Sequence, residues 1–127
     1  ALGRADFITL HPPLNDATRG MVNDDFISRC KKGVRIVNVS RGPVVDAAAL
    51  IRGIDDQKVA GAAIDVYDQE PPPEDDPLRS HPAIVCTPHL GASTAEAQDN
   101  VGIQSAQQMV AFLADGQIEN AVNAPRL

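Results

Sequence analysis

The chain has 127 residues, a formal net charge of -6 and 43% hydrophobic residues. The acidic balance disfavours a phosphate-backbone partner, and aromatics at 3%, with no Trp, leave nothing for bases to stack on. No apolar run approaches the ~20 residues of a membrane span, so neither nucleic acid nor membrane is an expected partner.

The N-terminal run Phe7-Ile8-Thr9-Leu10 reads as a short strand stopped by His11-Pro12-Pro13, because a helix cannot pass a Pro pair. Asn23 reads as a helix cap, with Asp24 and Asp25 in a first turn that favours acids, and the helix is expected to reach about Lys32 before Gly33. The β-branched stretch from Val34 to Val39 reads as a strand ending near Ser40-Arg41-Gly42-Pro43. Asp46 caps a second expected helix that fades near Gly53. Val59 to Ile64 reads as a small-residue strand ending at Asp65, and Ile84 to Thr87 as a fourth strand ending at Pro88-His89. Ser93 with Glu96 has capping-box spacing and opens a last helix with an apolar stripe at Ala97, Val101, Ala106, Met109, Val110 and Leu113, running to about Gly116.

Apolar strands alternating with helices imply an α/β fold with a parallel sheet covered on both faces. In such sheets ligands gather outside the carboxyl ends of the strands. Four polar groups of residues, at His11-Pro12, Ser40-Arg41, Asp65 and Pro88-His89, are therefore expected on one rim.

The acidic residues between Asp65 and Pro88 bear on that rim differently. Glu74 to Asp76 read as a solvated acidic connector, whereas Glu70 lies near a strand end, directly before the stiff run Pro71-Pro72-Pro73. A Glu70 carboxylate that reached His89 would fix its tautomer and favour the imidazolium. Arg41 could meet a ligand carboxylate with two parallel bonds or be a surface turn residue, and spacing does not choose between these. An Arg-Glu-His set serves hydride-coupled proton transfer or hydrolysis, but Ser40 and Ser93 lack the Gly-x-Ser-x-Gly setting of a nucleophile. The histidines His11, His81 and His89 have no helical ligand spacing, so no metal is expected. Cys30 and Cys86 read as reduced thiols of a cytoplasmic protein.

Val37-Asn38-Val39-Ser40-Arg41-Gly42-Pro43-Val44-Val45-Asp46 closely resembles a strand-turn-helix motif of the D-isomer-specific 2-hydroxyacid dehydrogenases. So, in the family's order and spacing, do Ala62-Ala63-Ile64-Asp65-Val66-Tyr67, Glu70-Pro71-Pro72 and Pro88-His89-Leu90-Gly91-Ala92-Ser93-Thr94. The last of these, and the closing Asn120-Ala121-Val122-Asn123-Ala124, are most similar to the branch that oxidises 3-phospho-D-glycerate in serine biosynthesis. The resemblance implies a Rossmann-like domain and NAD-linked oxidation of a small-molecule 2-hydroxy acid. By matching position, His89 is the acid/base, Glu70 its carboxylate partner, and Arg41 the group that holds the substrate carboxylate. Asp65 matches the residue that meets the nicotinamide carboxamide, while Pro12, Val39, Ser40, Arg41, His89, Gly91 and Ala92 match positions lining the cofactor. Pro12 stands where many relatives have a hydroxylated or small residue, which removes one possible hydrogen bond.

The Gly-x-Gly-x-x-Gly turn of the family, which supplies amides to the pyrophosphate, has no counterpart in the glycine spacing of this chain. The resemblance therefore implies the second half of an NAD-binding domain over residues 1–92, a helix over 93–116 leading to a substrate domain, and a tail over 117–127. In the doubly wound order, the strand at Phe7 loses its usual neighbour, so a homo-oligomer or association with the missing half is expected. An NAD-sensing corepressor-type binding protein and an inactive half-domain are the alternative readings.

Overall fold

The computed structural model describes residues 1–123. It divides into two compact units, Ala1–Gly91 and a second beginning at Ala92.

The first unit is a four-stranded parallel sheet, β1 (Phe7–Leu10), β2 (Val34–Asn38), β3 (Val59–Ile64) and β4 (Ile84–Cys86), in the spatial order β1-β2-β3-β4. The connections carry α1 (Asp24–Arg29), α2 (Ala47–Asp55) and a short α3 (Pro77–Ser80). All four strands fall where the β-branched and small-residue runs place them. The helices differ in extent. The first stops at Arg29 rather than near Lys32, because Cys30 is already extended at ψ 160°, and the second continues past Gly53 to Asp55. The one-turn α3 forms inside the stretch read as connector: Asp76 accepts from the Leu78 amide, and Pro77 occupies the first turn, where its missing N–H costs nothing.

Caps and ion pairs fix the helices. The Asn23 side chain accepts from the Phe26 amide at 3.0 Å, and Asp46 from the Ala49 amide at 3.0 Å. Arg52 of α2 pairs with Asp24 of α1 at 2.7 Å; both side chains are exposed, so this pair sets register more than stability.

Within the first unit, and among the described residues, helices cover the sheet on one face rather than two. Ile8, Leu10, Ile36, Asn38, Ala62, Ile64 and Ile84 point into a core shared with Ile27, Ala49, Leu50 and Ile54 of the helices. The opposite face carries Phe7, Thr9, Arg35, Val37, Gly61, Ala63 and Val85; Phe7 and Val85 are each 66% exposed. Topology explains the departure from the expected double cover. Strands added in sequential order by crossovers of one hand put every helix on the same side. Arg35 lies over the Phe7 ring on this open face, 5.5 Å from its centre.

In the second unit, α4 (Ala95–Asp115) is capped by Thr94, whose side chain accepts from the Ala97 amide at 3.2 Å. Thr94, not Ser93, is the cap, and Gln98 reaches back to the Ala92 carbonyl at 2.8 Å. Gly116 ends the helix in the left-handed conformation (φ 66°), which glycine enters at little cost. The apolar stripe on α4 buries none of its residues, and Met109, Val110 and Leu113 stand exposed. Residues 124–127 of the expected tail, including Ala124, lie outside the described residues. No helix among the described residues is long and apolar enough to cross a membrane.

Candidate active site at the carboxyl edge of the sheet

Parallel pairing puts Leu10, Asn38, Ile64 and Cys86 in one cross-strand row at the end of the sheet. The residues after that row, His11-Pro12, Val39-Ser40-Arg41, Asp65 and Thr87-Pro88-His89, leave along a single edge. Adjacent strands are about 4.8 Å apart, so the β2 and β4 exits lie about 10 Å from each other, a span that two long side chains and a small ligand bridge.

The exit from β2 is built on Asn38, which is fully buried although Asn is poorly suited to strands. Its Oδ1 accepts from the Ser40 amide at 3.1 Å and the Ser40 hydroxyl at 2.9 Å, while Nδ2 donates to the Arg41 carbonyl at 3.0 Å. This side chain folds the turn that presents Arg41. The Arg41 guanidinium donates to the Ser40 carbonyl at 2.6 Å, and its other donors remain available at an exposed position. Ser40 is buried with its hydroxyl committed to Asn38, so it offers a ligand its backbone rather than its side chain. Val39 is 44% exposed at the same tip.

Asp65, at the end of β3, clamps the turn that carries His89. One carboxylate oxygen accepts from the Leu90 amide at 2.8 Å and from the Thr87 hydroxyl, and the other accepts from the Gly91 amide at 3.1 Å. Burial raises its pKa, but the bonds from Thr87, Leu90 and Gly91 and the nearby His89 charge outweigh this and hold the carboxyl below its ordinary range. A carboxylate has about four acceptor positions, so a position is left for a ligand N–H. The clamp also explains the His89 backbone, which sits at φ 57°. A left-handed non-glycine residue is costly and persists where its surroundings over-determine it.

Glu70 and His89 meet. Glu70 Oε2 lies 2.6 Å from His89 Nδ1, and Glu70 Oε1 accepts from the Tyr67 amide at 3.0 Å. The bond to His89, then the Tyr67 amide and the charges of His89 and Arg41, hold the Glu70 carboxyl below the usual carboxylate range. With Glu70 ionised, Nδ1–H donates and Nε2 carries the lone pair, the tautomer of an imidazole ready to take a proton. Both side chains are more than a third exposed, so the pair faces solvent or a ligand.

Of the residues singled out from sequence, the structure joins Glu70 to His89 and ties Asp65 to the His89 turn. Arg41 stands on the same edge, near enough for its charge to act on Glu70, but bonds to neither Glu70 nor His89. Pro12 is half-buried after β1, Gly91 donates to Asp65, and Ala92 opens the second unit at φ 62°. Three supporting residues were not singled out: Asn38, Thr87 and Tyr67. Only Asn38 left a signal, an amide ending a β-branched strand just before Ser-Arg-Gly-Pro.

The nicotinamide end of a dinucleotide fits these residues: Val39 and Pro12 give apolar wall at the edge, and Asp65 keeps acceptor capacity for an amide donor. An imidazole-carboxylate pair beside a guanidinium can move a proton while an anionic substrate is held.

The family profile described as "D-isomer specific 2-hydroxyacid dehydrogenase, NAD binding domain" matches residues 1–91. D-3-phosphoglycerate dehydrogenase 3, chloroplastic, of Arabidopsis thaliana is 50% identical over 125 residues, 98% of this chain and 21% of that protein. D-3-phosphoglycerate dehydrogenase of Bacillus subtilis is 44% identical over 126 residues, 99% of this chain and 24% of that protein. The crystal structure of a D-isomer specific 2-hydroxyacid dehydrogenase family protein from Klebsiella pneumoniae superposes with a TM-score of 0.86 at 33% identity, over 96% of this chain and 39% of that one. The chain thus spans about a fifth to a quarter of the curated relatives it matches. On its sequence match and its Rossmann-type parallel sheet, the chain belongs to the D-isomer specific 2-hydroxyacid dehydrogenase family, in the NAD-binding domain.

Proposed function

We propose that this chain forms part of an NAD-dependent dehydrogenase that oxidises 3-phospho-D-glycerate to 3-phosphohydroxypyruvate, the entry into serine biosynthesis. The observation that carries the reaction type is the 2.6 Å Glu70–His89 contact on the edge that also holds Arg41. The substrate rests on the resemblance of the chain to enzymes named D-3-phosphoglycerate dehydrogenase.

When bound, NAD supplies the acceptor for the hydride that leaves C2 of the substrate. The chain's own residues handle the rest. His89 Nε2 takes the proton of the C2 hydroxyl as the C–H bond breaks, so the alcohol becomes a ketone and the imidazole an imidazolium. Glu70 stabilises that cation through Nδ1–H, the role a carboxylate plays beside any imidazole base. Arg41 holds the substrate carboxylate with parallel N–H bonds and places positive charge beside the forming carbonyl oxygen. Asp65 keeps the His89 turn in place and would accept from the carboxamide, while Pro12, Val39, the Ser40 backbone and Gly91 would wall the cofactor.

Steady-state assay of the full-length protein against several 2-hydroxy acids, with NAD and NADP, tests the proposal. The expected result is the highest kcat/KM for 3-phospho-D-glycerate with NAD. Binding of NAD without turnover of any 2-hydroxy acid would overturn it in favour of an NAD-sensing binding protein.

A further inference from the structure

We propose that Tyr67 is a positioning residue for the Glu70–His89 pair, orienting the carboxylate with its amide and fixing the main chain ahead of the imidazole with its hydroxyl. The inference rests on the proton-transfer reading of that pair. Tyr67 lies three residues beyond β3 and three before Glu70, and it is the only tyrosine in the chain. Its amide donates to Glu70 Oε1 at 3.0 Å. Its hydroxyl donates to the Thr87 carbonyl at 2.9 Å, two residues ahead of His89 and just past the last paired residue of β4. One residue thus holds both partners from two separate loops.

Tyr67 as a whole is 6% exposed, and its hydroxyl is taken up by main-chain carbonyls rather than offered to a substrate. A buried tyrosine hydroxyl needs an acceptor, and among the described residues it has the Thr87 carbonyl and a longer contact of 3.4 Å to Ile64. Burial and the neighbouring Cys86 thiol push its pKa up, which keeps it a donor throughout the working pH range. A phenylalanine would fill the same core volume, so packing alone does not account for the hydroxyl. The backbone at Tyr67 is in turn braced by the Arg41 turn. A Cβ on Gly42 would lie 2.0 Å from the Tyr67 carbonyl carbon, so that turn rests directly on this peptide. Tyr67 therefore touches three loops, those of Arg41 and Glu70 through its peptide and that of His89 through its hydroxyl.

Four variants of the full-length protein test this in the direction of hydroxy-acid oxidation: Tyr67→Phe, Glu70→Gln, the two combined, and Ile27→Val as a control in the core away from the edge. Phenylalanine keeps the ring that fills the core, so the fold is retained. Tyr67→Phe is expected to lower kcat about tenfold, the effect of one lost hydrogen bond, with KM for NAD within about twofold. The backbone amide bond to Glu70 persists in this variant, but freeing the Thr87 carbonyl loosens the main chain that carries His89 and with it the Glu70–His89 contact. This destabilises the imidazolium, so the half-activity point on the acidic limb of kcat/KM moves to lower pH, by about half a unit. Glu70→Gln moves it further, and the double variant matches Glu70→Gln alone, because Tyr67 acts through that pair. Ile27→Val lowers the melting temperature and leaves the limb in place. An unmoved limb in Tyr67→Phe beside a moved one in Glu70→Gln, or additive shifts in the double variant, would overturn the Tyr67 assignment and leave the pair intact. An unmoved limb in Glu70→Gln would instead overturn the proton-transfer reading on which the assignment rests.

Discussion

Glu70 and His89, nineteen residues apart in sequence, share a 2.6 Å contact from carboxylate to Nδ1. That contact holds the Glu70 carboxyl below its ordinary pKa, with the Tyr67 amide assisting. The sign follows directly. A depressed folded-state pKa means the contact stabilises the native protein above the unfolded glutamate pKa and is lost as pH falls through the folded value. Glu70→Gln is expected to lose less thermal stability than the wild type between about pH 5 and pH 3. Thermal melts of both proteins across that range check this, and parallel losses would contradict it.

Asp65 is the anchor of the His89 turn, taking the Leu90 and Gly91 amides and the Thr87 hydroxyl. Asparagine offers one acceptor oxygen, and its amide nitrogen faces donors. Asp65→Asn should therefore leave a main-chain donor of the His89 turn unpaired at a part-buried position, costing about 1 kcal/mol, and let His89 relax from its left-handed backbone. Chemical denaturation gives the stability loss, and kcat/KM gives the functional loss, expected to exceed tenfold.

Gly42 has no room for a side chain, since an added Cβ would lie 2.0 Å and 2.2 Å from the carbonyl carbon and oxygen of Tyr67. The obstacle is backbone, which cannot rotate away as a side-chain tip can. Gly42→Ala is expected to cost about 1–3 kcal/mol, as overpacking does in cores, and to displace the Arg41 turn from the Glu70 loop. A melting temperature equal to that of the wild type would contradict this.

The open sheet face and the outer edge of β1 predict behaviour for the 127-residue chain expressed alone. Among the described residues, β1 pairs only with β2, and Phe7 and Val85 stand exposed on the uncovered face. Unpaired strand edges and exposed apolar surface favour association. Sedimentation should show dimers or larger species, and a monodisperse monomer at high micromolar concentration would contradict the expectation.

Much of this architecture is legible in the sequence because its signals are local. Val34 to Asn38 is β-branched between Gly33 and the Gly42-Pro43 turn, and Asn23 and Asp46 are capping residues placed before helical runs. Strand ends then place Arg41, Asp65 and His89 on one edge without further knowledge. What the sequence hides is long-range or depends on competition. The Tyr67 hydroxyl reaches Thr87 across twenty residues, and the Thr87 hydroxyl reaches Asp65 across twenty-two, so no spacing rule marks either. Ser93 and Thr94 are both competent caps, and only the geometry of the turn selects Thr94. The single covered face follows from sequential strand order, which apolar strands alone do not reveal.

The central claim is that His89 is the group that exchanges the substrate proton. Its most direct test is His89→Gln in the full-length protein, with kcat measured alongside NAD affinity by calorimetry. The account predicts a kcat lower by about 10²–10⁴-fold, the range for loss of a general acid/base, with NAD affinity within about twofold of the wild type. A variant that keeps most of the wild-type rate would contradict it.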